Sequence, residues 1–401
     1  MPAATPLPRG PSVLTLYDAA DLLTAPGCPV CRYASEASDR YLRWFALEAH
    51  AQPDTITRLC ACLGPCARHA RLMMSQPGAG IRMTAVYRYV VTAARDRLAG
   101  RGGRLAACPA CEHDAGAADR ALGTLIEGLT DSATMYRFRE LGGVCLPHWP
   151  AVATAGRRPM VECLTETMRE SIAAPGAPLG WLAGTDPDAE IRAVLRRSVP
   201  TTGFLPPMAC PPCLASAQAE RDALDRLAGL ASDGPDPTLT LCAEHFADAA
   251  ATTADHRGLR ALLVWQAGCL TARLNTRSAH RLRAGRRQRG PDGDCTVCRA
   301  RSSAAQRVLA AVGTESLPLA GSALCVRHHL VLRVAAPWAC QALLPAAVQA
   351  ADALIGDLAD AFDATAQARS RGEPVPDSSA WRRAAAYLDG AVFGGYPARL
   401  P

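Results

Sequence analysis

The chain has 401 residues, with 43 Lys plus Arg against 37 Asp plus Glu and a formal net charge of +6. Hydrophobic residues make up 49% and charged residues 20%, which excludes a disordered chain, and 5% aromatics in an alanine-rich sequence favours helices over a β-sandwich. All the basic residues are arginine, which excludes a lysine Schiff base and a Walker-type phosphate lysine, and the charge excess is mild for a dedicated nucleic-acid binder.

Residues 1–27 show no basic start followed by an apolar stretch, so no secretory signal is expected. No apolar run approaches the ~18 residues of a membrane span, so a cytoplasmic protein is expected. Cysteine is the anomaly, at 17 residues. In a reducing compartment such cysteines point to metal ligands before disulfides.

The elements follow in chain order. Cys28-Pro-x-Cys31 opens a helix over 32–51, and Cys66-x-x-His69 precedes a second over 81–99. Glycines at 100–103 break the chain before Cys108-Pro-x-Cys111, a helix over 112–129, a short turn at 136–141 and Cys145-x-x-His148. Helical patterns at 160–173 and 189–199 are separated by proline-rich breaks at 175–178 and 201–207. Cys210-Pro-x-Cys213 opens a helix over 213–231 whose apolar face is Leu214, Ala217, Leu224, Leu227 and Leu230. Cys242-x-x-His245, a helix over 259–283 and a break at 285–293 follow. Cys295-x-x-Cys298, a helix over 299–312, Cys325-x-x-His328 and a helix over 343–368 complete the chain.

Four C-x-x-C pairs thus alternate with four C-x-x-H pairs, with 34, 33, 28 and 26 residues between partners. Strict alternation at similar gaps signals internal repetition. Three thiolates and an imidazole suit a tetrahedral, borderline-soft ion, and zinc is the default, about four per chain. With every position filled by protein, the sites read as structural. An iron–sulfur cluster with Cys₃His ligation is the alternative. Each C-x-x-C is expected to pair with the next C-x-x-H, because the third and fourth helices run outward and their following segments are long enough to return; loop-closure entropy alone leaves open interleaved sites, in which Cys108 and Cys111 meet Cys66 and His69 instead.

This reading gives an all-α protein of four modules, at 1–103, 104–180, 181–285 and 286–401, with little or no sheet. The C-P-x-C, helix, C-x-x-H pattern resembles an uncharacterised family of bacterial helical proteins with paired cysteine motifs. That resemblance covers most of the chain, and it implies a helical, metal-binding protein without naming a reaction. The sequence departs from the pattern at Pro65, where an apolar residue is usual, and at Thr296.

The remaining cysteines read as bystanders. Cys60 and Cys62 sit just before Cys66, and Cys163, Cys269 and Cys340 lie in apolar helical stretches as small buried hydrophobes. His329 adjoins the ligand His328 but breaks the repeat spacing, and His113 reads as a surface residue. The arginines at 273, 277, 281, 283, 286, 287 and 289 read as a solvated helix end, or as a phosphate-facing surface. No H-E-x-x-H, G-x-S-x-G, P-loop or dinucleotide fingerprint occurs, so no catalytic residue is assigned. Three functions compete: a zinc-stabilised scaffold that binds partner proteins, a nucleic-acid-associated regulator, and an iron–sulfur redox protein.

Overall fold

The structure is a computed structural model. It describes residues 11–74, 76, 79–145, 147–149, 151–152, 161–163, 165–167, 170, 210–229, 240–242, 245–246, 248–249, 261–262, 265–266, 295–313, 324–373 and 380–390. The expected helix over 189–199, most of those over 160–173 and 259–283, Cys269 and the arginine run lie outside them.

Among the described residues the regular structure is entirely helical. Helices α1 (Val13–Leu22), α2 (Pro29–Leu47), α3 (Pro53–Cys62), α4 (Ala67–Met74), α5 (Ala79–Leu98), α6 (Pro109–Gly128) and α7 (Ser132–Glu140) come from the first part of the chain. Helices α8 (Pro211–Gly229), α9 (Thr296–Gly313), α10 (Val326–Ala335), α11 (Pro337–Ser370) and α12 (Ala380–Leu388) come from the second.

The chain forms two compact units, each stitched from three segments. The first holds Met1–Ala37, Asp114–Asp186 and Leu227–Cys295, and the second holds Ser38–His113, Pro187–Arg226 and Thr296–Pro401. Neither unit is a continuous stretch of sequence. Each takes the two ends of one half of the chain and the middle of the other.

The core of the second unit forms around α5, whose Met83, Val86, Tyr87, Val90, Val91 and Ala94 are buried. It packs with Ala347, Ala351, Leu354 and Leu358 of α11 and with Trp381, Ala384, Tyr387 and Leu388 of α12. The Tyr387 hydroxyl donates to the Ala347 carbonyl at 2.6 Å, so the ring is buried without orphaning its polar tip. Ion pairs Arg95–Asp352 (2.9 Å) and Arg383–Asp357 (2.7 Å) flank the core on exposed faces, where such pairs add little stability.

Helix α11 corrects one expectation: by length and composition it is apolar enough to cross a membrane. Its apolarity is largely alanine. The helix also carries Asp352 and Asp357, both ion-paired, and its buried face is committed to α5.

In the first unit, Arg32 ties down the turn after α1, donating to the Ala25 carbonyl at 3.0 Å and to the Leu22 carbonyl. Arg137 of α7 donates to Leu23 O at 3.2 Å. Asp131 caps α7, accepting from Thr134 N–H at 2.9 Å, and that bond holds its carboxyl below the usual range. Gly128 closes α6 against α1, since a Cβ there would lie 2.5 Å from that of Ala19.

Candidate metal centres

The C-P-x-C motif is a helix start. Pro29, Pro109 and Pro211 are the first residues of α2, α6 and α8, where the missing N–H costs nothing and the fixed φ suits a helix. The preceding cysteine is then the cap, and its carbonyl accepts the first helical hydrogen bond: Arg32 N to Cys28 O (3.1 Å), Glu112 N to Cys108 O (3.2 Å) and Leu214 N to Cys210 O (3.0 Å). The C-x-x-H motif is built the same way, with Ala70 N to Cys66 O (2.8 Å), Trp149 N to Cys145 O (2.9 Å), Phe246 N to Cys242 O (2.9 Å) and His329 N to Cys325 O (3.0 Å). Both ligands of a pair therefore sit on the first turn, and the dipole there favours the thiolate.

The structure brings all sixteen expected residues into four clusters, but not the expected ones. Site A is Cys28, Cys31, Cys145 and His148; site B is Cys66, His69, Cys108 and Cys111; site C is Cys210, Cys213, Cys325 and His328; site D is Cys242, His245, Cys295 and Cys298. Each C-x-x-C thus skips or precedes its expected partner. Pairing is nested, with an outer and an inner site in each half of the chain. Cys31 meets Cys145 across 114 residues, and Cys213 meets Cys325 across 112. Local pairing is overturned because closing a longer loop costs only about 0.6 kcal/mol per doubling, which core packing easily outweighs.

In each cluster the ligand atoms all lie within 4.8 Å of one another. The S···S separations are 3.5 Å for Cys31–Cys145, 3.6 Å for Cys66–Cys111 and 3.9 Å for Cys213–Cys325. Each histidine turns Nδ1 to the sulfurs, at 3.1 to 3.6 Å in site A, 3.2 to 3.7 Å in site B and 3.2 to 3.3 Å in site C. In site D, His245 Nδ1 lies 3.2 Å from Cys242 and 3.4 Å from Cys295. A tetrahedral ion with arms of about 2.3 Å to sulfur and 2.0 Å to nitrogen has edges of about 3.8 and 3.5 Å. The clusters match those edges, and the sulfurs stand well beyond the ~2.0 Å of a disulfide.

The electrostatics ask for a cation. In site A burial opposes ionisation of Cys28, yet hydrogen bonds from Cys145, Cys31 and His148 bring its thiol well below the ordinary range. Burial, with Cys28 and Cys31 beside it, pushes Cys145 well above it. Burial also opposes charge on His148, but Cys28 and Cys31 raise it to about 10. His328 in site C is raised to about 11, with Cys325 and Cys210 overcoming burial. Thiols this close cannot all ionise beside one another without a positive centre among them.

No family model, curated protein or solved structure matches this chain. The resemblance to the helical family with paired cysteine motifs therefore rests on the motifs alone.

Second contacts were not legible in the sequence. Ser38 Oγ lies 3.0 Å from His69 Nε2, both buried, fixing the ring whose Nδ1 faces site B. The chain after α12 covers site C: a Cβ on Gly390 would meet Cys213 Sγ at 2.7 Å. Arg327, between Cys325 and His328, pairs with Asp389 at 2.9 Å.

Among the described residues, the bystander cysteines Cys60, Cys62, Cys163 and Cys340 join none of the clusters. Cys62 is buried, donating to Gly64 O at 3.2 Å, and burial pushes its thiol up to about 12. Cys340 is buried and donates to the His329 carbonyl at 3.6 Å. His113 is exposed as expected, but its ring stacks on Tyr41 at 4.2 Å.

Proposed function

We propose that each cluster holds one zinc ion, and that the four ions are structural ties in a helical protein that acts as a scaffold for partner proteins. The observation that carries the metal reading is the single-ion geometry, four donor atoms within 4.8 Å at tetrahedral edge lengths. Zinc suits three thiolates and an imidazole, and four protein ligands leave no position for a reacting water. In an iron–sulfur cluster the thiolates are distributed over several irons, which spreads the sulfurs farther apart than they stand here.

The chain's own residues do the rest. Cys28, Cys31, Cys145 and His148 join the start of α2 to a segment more than a hundred residues away. Cys210, Cys213, Cys325 and His328 do the same for α8 and α10. Ties of this kind stabilise small folds by roughly 10–16 kcal/mol in isolated peptides.

The scaffold reading draws support from Val13, Leu14 and Tyr17 of α1, which are 69%, 75% and 69% exposed and leave apolar surface for a partner. A cytoplasmic location is part of the same proposal. Nucleic-acid binding through the arginine run is the second reading. Elemental analysis of fresh protein should give close to four zinc ions per chain, with no iron and no colour. Fewer than three, or brown iron-containing protein, would sink the zinc reading. Loss of an electrophoretic shift with random DNA or RNA at all salt concentrations would remove the second reading.

A further inference from the structure

The four sites share ligands and differ in access. Site C is wholly buried, and Gly390 lies against its Cys213. Sites A and D have two half-buried ligands and one, respectively. Site B stands apart: Cys111 is exposed, Cys66 is half-buried, and their sulfurs lie 3.6 Å apart. The chain entering site B is non-helical over 101–107 and exposed except at Leu105, which packs on the core; it is held by Ala106 N–H to Ala61 O at 3.1 Å and by Arg97 to Gly103 O at 2.9 Å. Cys111 therefore lies at the exposed edge of the site, while Cys108 and Ala110 beside it pack on the core around α5. The other ligand segments of the second unit, around Cys210 and Cys325, belong to a buried apolar cluster in which Cys210, Cys213 and Cys325 are all buried.

We propose that site B is a covalent modification site at which small hydroperoxides oxidise Cys111 and Cys66 and so release the metal. This rests on the metal reading above. With hydrogen peroxide as the oxidant, the Cys111 thiolate attacks one peroxide oxygen, the O–O bond breaks and hydroxide leaves (an alkoxide from an organic hydroperoxide), giving a sulfenic acid at Cys111. The Cys66 thiolate then attacks that sulfur, forming the Cys66–Cys111 disulfide and expelling a second hydroxide. Two electrons pass from the two thiolates to the peroxide, and solvent protons turn both hydroxides into water. The ion loses two of its four ligands. A dithiol reductant with added zinc reverses the change.

Three features favour these two sulfurs. The attacking sulfur must be reached by the oxidant, and Cys111 is the one exposed cysteine among the described residues. The resolving sulfur must already be near, and Cys66 stands at 3.6 Å. Closing a bond from 3.6 Å to the ~2.0 Å of a disulfide brings the two sulfurs about 1.6 Å nearer.

The test treats the full-length, metal-loaded chain with increasing hydrogen peroxide. Released metal is read with a chromogenic chelator, and cysteine state by peptide mass spectrometry. The expected result is release of one ion in four at roughly a tenth of the dose that touches site C, since susceptibility follows exposure. At that point Cys111 is disulfide-bonded to Cys66, while Cys210, Cys213 and Cys325 are unmodified. Parallel release of all four ions, or first oxidation at another site, would overturn the proposal. A Cys111→Ala chain, with three ions at the start, should lose the low-dose phase; retention of that phase counts against it equally. Elemental analysis before peroxide separates the two ideas. A chain without metal defeats the zinc reading, and the order of cysteine oxidation still decides the claim about Cys111.

Discussion

Gly390 presses its Cα against the sulfur of Cys213: a Cβ there would stand 2.7 Å from Sγ, 3.2 Å from Cys213 Cβ and 3.3 Å from Cys210 Cβ. The end of α12 thus lids site C, and the Arg327–Asp389 pair at 2.9 Å latches it beside the ligand His328. With the proposed ion in place, that sulfur could not retreat as a free side chain would. Gly390→Ala should therefore destabilise the protein by about 1–3 kcal/mol, the usual cost of overpacking. Gly356→Ala on α11 is the control, because its Cβ would meet nothing within 4 Å and an alanine gains about 1 kcal/mol in a helix. Thermal unfolding of both variants checks the pair. A Gly390→Ala protein as stable as the parent would mean that α12 does not close over the site.

The six longest helices were legible because each carries an apolar face over 18 or more residues. Positions 81–99 read as a helix and α5 spans Ala79–Leu98; positions 299–312 read as a helix and α9 spans Thr296–Gly313. Shorter helices escaped. Helix α3 (Pro53–Cys62) ends at the left-handed Leu63, which no Gly or Asn at that position announces, and α12 is only nine residues. The sixteen residues that form the four clusters were legible by type and spacing. Their pairing was not, because loop closure is nearly indifferent to distance along the chain and the deciding term is packing between α5 and the far-off α11 and α12.

Pairing has a direct test by ion counting. Cys31→Ser and Cys145→Ser act on one site, so the double variant should lose one ion. Cys31→Ser with Cys66→Ser strikes sites A and B and should lose two. Serine keeps its proton at neutral pH and is a poor substitute for thiolate. Metal content by mass spectrometry of the intact, native protein reads the difference. One ion lost from the second double variant would restore local pairing.

The stitched units make a prediction about covalent continuity. A protease site placed between Asp186 and Pro187 separates the two halves of the sequence, yet each unit needs segments from both. Tyr87 from the first half and Trp381 from the second have ring centroids 6.1 Å apart in one buried core. The cut protein should run as one species on size exclusion in native buffer and separate only in denaturant. Two separate peaks in native buffer would mean that each half carries its own core.

Cys62 tests the distinction between ligand and bystander through pH. Its thiol is raised to about 12, first by burial and then by the nearby Cys108. An unfolded thiol titrates near 8.5, so the folded state holds the proton more tightly. The sign follows from that: this contribution is complete below about pH 8.5 and is lost as the pH rises from there through 12. At pH 8 the native protein should leave Cys62 unalkylated by iodoacetamide, since the thiolate is the reactive form. Denatured protein should react at the ordinary rate. Cys62→Ala should leave the metal count unchanged while destabilising the chain slightly, because the lost S–H donors to Leu59 O and Gly64 O are weak. Rapid native alkylation of Cys62, or loss of an ion from the alanine variant, would place this sulfur in site B and redraw its ligand set.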